Sequence, residues 1–187
     1  MGDGGNGAAG PTLRPGRPGD APALTALALR SKAHWGYDEE FLAACREELT
    51  LRPAEVEPRR TVVAERDGRP LGFSTLEGEP PGDAELGLFF VEPAAMGRGL
   101  GRALFTRLLA DARALGFGRI AFDADPYAEP FYRAMGAARI GGSPSGSIPG
   151  RVLPRMAIPV PPRGRSRGCM VGRPARPVRS GVSRRRG

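Results

Sequence analysis

The chain is poor in the residues that build metal sites and disulfide frameworks. Among 187 residues it has one lysine, Lys32, one histidine, His34, and two cysteines, Cys45 and Cys169. One histidine and two distant cysteines exclude the Cys/His cluster of a structural zinc site, and they cannot form a disulfide framework. No metal is expected. There is no run of 18 apolar residues and no charged n-region leading into an apolar h-region, so neither a membrane span nor a secretory leader is expected. Met1-Gly2 opens like an N-myristoylation signal, but Asn6 holds the position where that signal needs Ser or Thr. A cytoplasmic protein is the expectation.

Arginine supplies the remaining positive charge, and its placement matters more than the net +8. Nine arginines and no acidic residue lie from Arg163 onward, which leaves 19 basic against 20 acidic side chains before them. The basic character therefore belongs to the tail and is no argument that the domain binds nucleic acid. Residues 1–10 and 161–187, rich in Gly, Pro, Ser and Arg, are expected to be disordered. Between them, residues 11–160 form one domain with a real core. The tail reads either as a basic arm for nucleic acid or anionic lipid, or as an unselected extension of a GC-rich gene.

Inside the domain, an apolar run from Leu86 to Val91 predicts a buried strand that breaks at Pro93. The chain then passes through Gly97-Arg98-Gly99-Leu100-Gly101-Arg102 into a helix with Leu100, Leu104, Leu108, Ala112 and Leu115 on one face. Strand, glycine loop and helix is the order in which free main-chain N–H groups converge on an anion, helped by the helix dipole. The spacing fits neither a P-loop, which needs a lysine here, nor the dinucleotide fingerprint, whose last glycine position is Arg102. A second segment, Asp125-Pro126-Tyr127-Ala128-Glu129-Pro130-Phe131-Tyr132-Arg133-Ala134-Met135-Gly136, follows another apolar run, Ile120 to Phe122.

Together these two segments resemble the acyl-CoA signature of the GNAT superfamily of N-acetyltransferases. The loop departs from the family pattern at Met96, where Gln or Arg is usual, and the second segment has Tyr127 before Ala128 where many relatives have Asn. The remaining pattern agrees. Asp67-Gly68 predicts a two-residue hairpin; helices are expected from Asp20 as N-cap and from Asp38 to Leu49; and closing strands run over Ala137–Ile140 and Arg151–Ile158. The order β, α, α, β, β, β, α, β, α, β, β is similar to the GNAT fold, an α/β architecture with a mixed, mostly antiparallel sheet and helices on both faces. A Ser-Gly-Ser-Ile-Pro-Gly-Arg segment at residues 145–151 is similar to one in some bacterial members.

The resemblance implies an enzyme that moves an acetyl group from acetyl-CoA to an amine. It implies that Phe90 and Val91 pair with the pantetheine arm, that the amides from Gly97 through Arg98, Gly99, Leu100 and Gly101 to Arg102 hold the pyrophosphate, and that Tyr127 lies by the cofactor. Tyr132 is the expected general acid. Glu85 is the expected base, with Glu92 as rival and Glu77 and Glu79 behind them. Trp35 and Tyr37 are candidates for the acceptor pocket, where cation–π attraction suits an amine; Arg151 either steers a carboxylate or closes a turn. A small-molecule amine is the favoured acceptor. A protein α-amine or lysine and a non-catalytic acyl-CoA-binding role stay open, as does a homodimer.

Overall fold

The computed structural model describes residues 10–162. The expectations for residues 1–9 and 163–187, Cys169 and the arginine-rich tail included, lie outside the described residues. Seven strands and four helices alternate in the expected order. The strands are β1 (Thr12–Pro15), β2 (Val62–Arg66), β3 (Arg69–Glu77), β4 (Asp83–Val91), β5 (Arg119–Asp123), β6 (Ala138–Pro144) and β7 (Val152–Pro159). The helices are α1 (Ala21–Ala33), α2 (Glu39–Leu49), α3 (Leu100–Leu115) and α4 (Glu129–Ala134). The β2–β3 turn takes φ of 51° at Asp67 and 73° at Gly68. Positive φ at both central residues matches the twist of the flanking strands.

Two local expectations are corrected. Asp38 does cap α2, accepting from the Phe41 N–H, but Asp20 makes no side-chain cap on α1. Its carboxylate is held instead by both guanidinium nitrogens of Arg14, at 2.7 and 2.9 Å, and by the Arg17 N–H. On α3, Leu100, Leu104, Leu108 and Ala112 are buried as the period requires, whereas Leu115 is 41% exposed. The helix stops there at Gly116, and Phe117, whose N–H reaches back to the Ala112 carbonyl, covers that end of the core instead.

The sheet runs β1-β2-β3-β4-β5-β7-β6, and every neighbouring pair is antiparallel except β4 and β5. Leu76, Ala84, Leu86, Ile120, Phe122 and Met156 pack with Phe105, Leu108 and Ala112 of α3 and Tyr132 of α4. Val63, Phe73 and Leu88 pack on the other face with Leu24, Leu27 and Ala28 of α1 and Cys45 and Leu49 of α2. Helices thus cover both faces. No helix among the described residues is long and apolar enough to cross a membrane.

Two features of β4 position the site. Its parallel pairing with β5 covers only Asp83–Glu85 against Arg119–Ala121, after which the strands part. On its other side the register against β3 shifts, Ser74 facing Phe89 but Leu76 facing Leu86, so β4 carries one extra residue there. The Leu88 N–H freed by this bulge donates to Thr75 Oγ1 at 2.8 Å. A Cβ on Gly87 would stand 1.9 Å from Glu77 Oε1, so in this arrangement the glycine leaves room for the Glu77 carboxylate to lie against the bulge.

Phe105 ties the two sides of the gap together. It is fully buried and meets the rings of Phe89, Phe122 and Phe131 edge-on at 6.1 to 6.4 Å. Phe105→Ala should destabilise the fold by about 3–5 kcal/mol, measured as a lowered urea midpoint with an unchanged denaturant slope.

Candidate active site

A cavity of about 690 Å³ opens where β4 and β5 part. Leu86 to Val91 of β4 form one wall; Phe122, Phe131 and Tyr132 form the other. At one end lie Gly97, Gly99, Gly101 and Arg102. Gly97 and Gly99 hold φ of 72° and 82°, a region closed to most side chains, and no atom stands within 4 Å of a Cβ at either. Their glycines answer a backbone requirement, not crowding. No main-chain N–H from Gly97 to Arg102 donates to another described residue; the first bond of the helix is Ala103 N–H to the Gly99 carbonyl. Six successive unpaired donors at a helix N-terminus make a ready anion cradle.

The opposite end is acidic and aromatic. Asp125, just past β5, accepts from Lys32 Nζ at 2.6 Å, from the Tyr37 hydroxyl at 3.0 Å and from the Tyr127 N–H at 3.0 Å, with Arg151 at 3.5 Å. Burial by itself raises its proton affinity, but Lys32 and these donors outweigh burial and hold the carboxyl below its usual range. Burial and the Asp125 charge push the Tyr37 phenol up to about 12. Trp35 stacks on Tyr127, ring planes 2° apart and centroids 5.4 Å apart, while Tyr37 stacks on Phe41 at 4.1 Å. The Arg151 guanidinium lies over the Phe41 ring at 4.6 Å and donates to the Tyr37 hydroxyl at 2.6 Å. Glu48 and Asp123 add two more carboxylates to the wall.

Between the ends stands Tyr132, 6% exposed, its ring 4.5 Å from that of Phe122. Burial first, and then the Asp125 charge, raise its hydroxyl well above the ordinary phenol value. Among the described residues its hydroxyl has no hydrogen-bond partner, and it lines the cavity. One chamber therefore joins an anion cradle, an unpaired strand edge, a protonated hydroxyl and an acidic end. The model of the Acetyltransferase (GNAT) family matches residues 25–137, more than half of the chain. The chain belongs to the GNAT acetyltransferase family.

Relatives agree with the GNAT assignment at different depths. Serotonin N-acetyltransferase 2, chloroplastic, of Oryza sativa subsp. japonica is 42% identical over 71 residues, 38% of this chain. That match spans 36% of the plant protein's length, about a third of it. The GCN5-related N-acetyltransferase of Rhodopseudomonas palustris superposes with a TM-score of 0.66 at 26% identity, over 80% of this chain and 96% of the other. The PaiA N-acetyltransferase of Thermoplasma acidophilum, solved in complex with coenzyme A, gives a TM-score of 0.64 at 18% identity over 80% and 98%, a likeness of fold.

Of the residues singled out in the sequence, Trp35, Phe90, Val91, Gly97, Gly99, Gly101, Arg102, Tyr127 and Tyr132 line this one GNAT cavity. The others stand elsewhere. Glu85 is off the cavity wall, its carboxylate held by Arg155 with one contact at 2.7 Å, because β7 brings that arginine across β5 to it. Glu92 is clasped by Arg30 at 2.8 and 3.1 Å, which lowers its proton affinity, and faces a second pocket. Arg98 lines that second pocket too, and the Leu100 side chain is buried among Val62, Ala64, Val91 and Leu104. Tyr37 and Arg151 stand behind the Asp125 wall and hold it; the Arg151 N–H also closes a turn onto the Ile148 carbonyl at 3.2 Å, and its side chain is not on the chamber wall.

The sequence reading missed Asp125, Lys32, Glu48 and Asp123, and the β4 bulge. Two signals were present: Gly87 inside a strand pattern, and an Asp-Pro-Tyr run in which the aspartate closes an Asx turn onto the second residue after it. No group of three His, Cys, Asp or Glu arranged for a metal occurs among the described residues.

Asp125 is depressed in the folded state, so the stability it contributes is present above its unfolded value of about 3.9 and is lost as pH falls through the lower folded value. Asp125→Asn should cost about 1–3 kcal/mol at pH 7, the scale of unpairing a charged hydrogen-bond partner. The gap between wild type and variant should narrow below about pH 4, as read from urea midpoints across that range.

Proposed function

We propose that this protein transfers the acetyl group of acetyl-CoA to the primary amine of a small molecule. The observation that carries the proposal is one continuous cavity running from six unpaired main-chain donors to a wall of three carboxylates. The donors from Gly97 to Arg102, with the Arg102 guanidinium, hold the pyrophosphate. The edge of β4 left unpaired beyond Glu85 offers Leu86 to Val91 to the pantetheine arm, and one N–H there stabilises the carbonyl oxygen as charge develops on it.

The acidic end favours a cation on arrival, and the aromatic rings around it suit an ammonium group. An alkylamine with a pKa near 10.4 is neutral in only about one molecule in a thousand at pH 7, so a carboxylate must take its proton. Asp125 is a poor acceptor, saturated by donors, and Glu48 is bound by the Ser147 hydroxyl at 2.9 Å. Asp123 is the third, and its one partner, Arg155, stands 3.4 Å away. We assign the base to Asp123, directly or through a water, in place of Glu85. The amine nitrogen then bonds to the thioester carbon, the carbon–sulfur bond breaks, and the departing sulfur takes a proton from Tyr132. Its raised proton affinity means that Tyr132 donates only as charge builds on sulfur.

A small acceptor is favoured over a polypeptide because the acidic end is bounded by a tethered segment. The segment between β6 and β7 is tied to α2 through Ser147 to Glu48 and Cys45, and Arg151 fastens it to Tyr37. Thiol release measured over a panel of small amines and peptide α-amines tests this. Turnover of peptides alone would overturn the small-molecule reading, and no turnover with any amine would overturn the activity.

Tyr132→Phe should lower kcat by about 10²-fold with acetyl-CoA affinity nearly intact, whereas Asp123→Asn should lower kcat by a comparable factor. An unchanged kcat in either variant removes that residue from the mechanism. Gly99→Asp places a side chain at positive φ and a negative charge at the cradle. It should abolish acetyl-CoA binding, followed by the emission of Trp35, the chain's one tryptophan, on the cavity wall.

A further inference from the structure

A second pocket, of about 380 Å³, lies behind the phosphate loop, on the side away from β5. Its floor is apolar, from Leu13 of β1, Leu71 of β3 and Leu100 of α3. Its rim is cationic. Arg66 and Arg69, from the two arms of the β2–β3 hairpin, and Arg98, from the loop itself, converge on it. Eleven of the eighteen arginines among the described residues hold a carboxylate, Arg14, Arg30 and Arg155 among them. Among the described residues Arg66, Arg69 and Arg98 have no ion-pair partner. The one carboxylate on the wall, Glu92, is clasped by Arg30, and Arg69 acts on it only through space.

The hairpin makes this costly. Arg66 and Arg69 are directly opposed in the last pair of the ladder, and like charges placed so repel. Two arginines opposed on a hairpin and a third from a loop, all lining one pocket with an apolar floor, form a socket for a compact dianion on an apolar body. Planar forks suit phosphate oxygens.

We propose that this pocket binds a phosphate monoester. Two sources share that chemistry: a separate phosphorylated small molecule, and the 3′-phosphate of coenzyme A folded over the back of the loop. Occupancy bears on the main cavity in either case, because Gly99 lines both pockets and takes the positive φ on which the cradle depends.

Calorimetric titrations of wild type and an Arg66→Ser/Arg69→Ser double variant separate the sources. In one arm, phenyl phosphate is titrated into protein with and without saturating coenzyme A; in the other, coenzyme A is compared with dephospho-coenzyme A. A separate ligand predicts phenyl phosphate binding to the coenzyme A-saturated wild type, weakened at least tenfold in the variant. The cofactor's own phosphate predicts at least tenfold tighter binding of coenzyme A than of its dephospho form, a preference that collapses in the variant. If the double substitution changes neither arm, the pocket is not a phosphate site. Should coenzyme A fail to bind the wild type at all, the acetyl-CoA reading falls while the phenyl phosphate arm still decides this one.

Discussion

The site depends on how soon β4 and β5 let go of each other. Three residue pairs hold them parallel, and from Leu86 onward the edge of β4 has no strand beside it. An unpaired edge is ordinarily a liability, since each free N–H and C=O asks for a partner. Here the gap is walled by aromatic rings, with Phe89, Phe105, Phe122, Phe131 and Tyr132 in mutual contact on the α3 side. That cluster keeps the strands apart without letting the core collapse into the space between them. The bulge at Gly87 then turns the strand at the point where the cavity widens.

Charge in the domain follows a second logic. Most of its carboxylates are engaged by arginine, and the pairs form a scaffold across strand ends rather than a site. Glu85 illustrates the rule: a glutamate at a strand start, one strand away from β7, is captured by Arg155 before it can serve anything else. Asp125 is the anion held by the only lysine, and through Tyr37, Tyr127 and Arg151 it fastens the end of α1, the β5–α4 turn and the β6–β7 segment to one point. A residue so bound organises the acidic end of the cavity.

What could be read from the residues was what depends on local spacing. The glycine loop, the Asp67-Gly68 turn and the helical face of α3 are set by φ preferences and by the periods of helix and strand, all carried within about a dozen consecutive positions. The glycine-lined end of the cavity followed from these. The acceptor end did not, because its members come from residues 32, 35, 48, 123 and 125, and only the sheet order brings them together. Glu85 has a partner that was hidden for the same reason. Its position along β4 was legible, but its capture by a residue 70 positions away was not. Trp35 and Tyr37 were found as a pair, yet the fold separates them: one ring reaches the chamber on Tyr127, and the other stacks behind it on Phe41.

The energetics of the proposed transfer favour this division between the two ends. A cationic amine attracted by the acidic wall is bound in its unreactive form, so attraction alone would slow the reaction. Removing the proton inside the chamber reverses that penalty, provided the proton goes to a carboxylate that is not already saturated by donors. Tyr132 faces the complementary difficulty. Its hydroxyl, buried among rings and near the Asp125 charge, resists ionisation more than a free phenol, while a departing thiolate has a proton affinity closer to that of an ordinary thiol, with a pKa of about 8.5. Complete transfer from Tyr132 is therefore uphill. The hydroxyl helps by hydrogen bonding to sulfur as the carbon–sulfur bond lengthens, and a tightly held proton guarantees that the donor is present over the whole physiological range. Burial thus trades acid strength for constancy of the donor, a sensible exchange where the leaving group is already a good one.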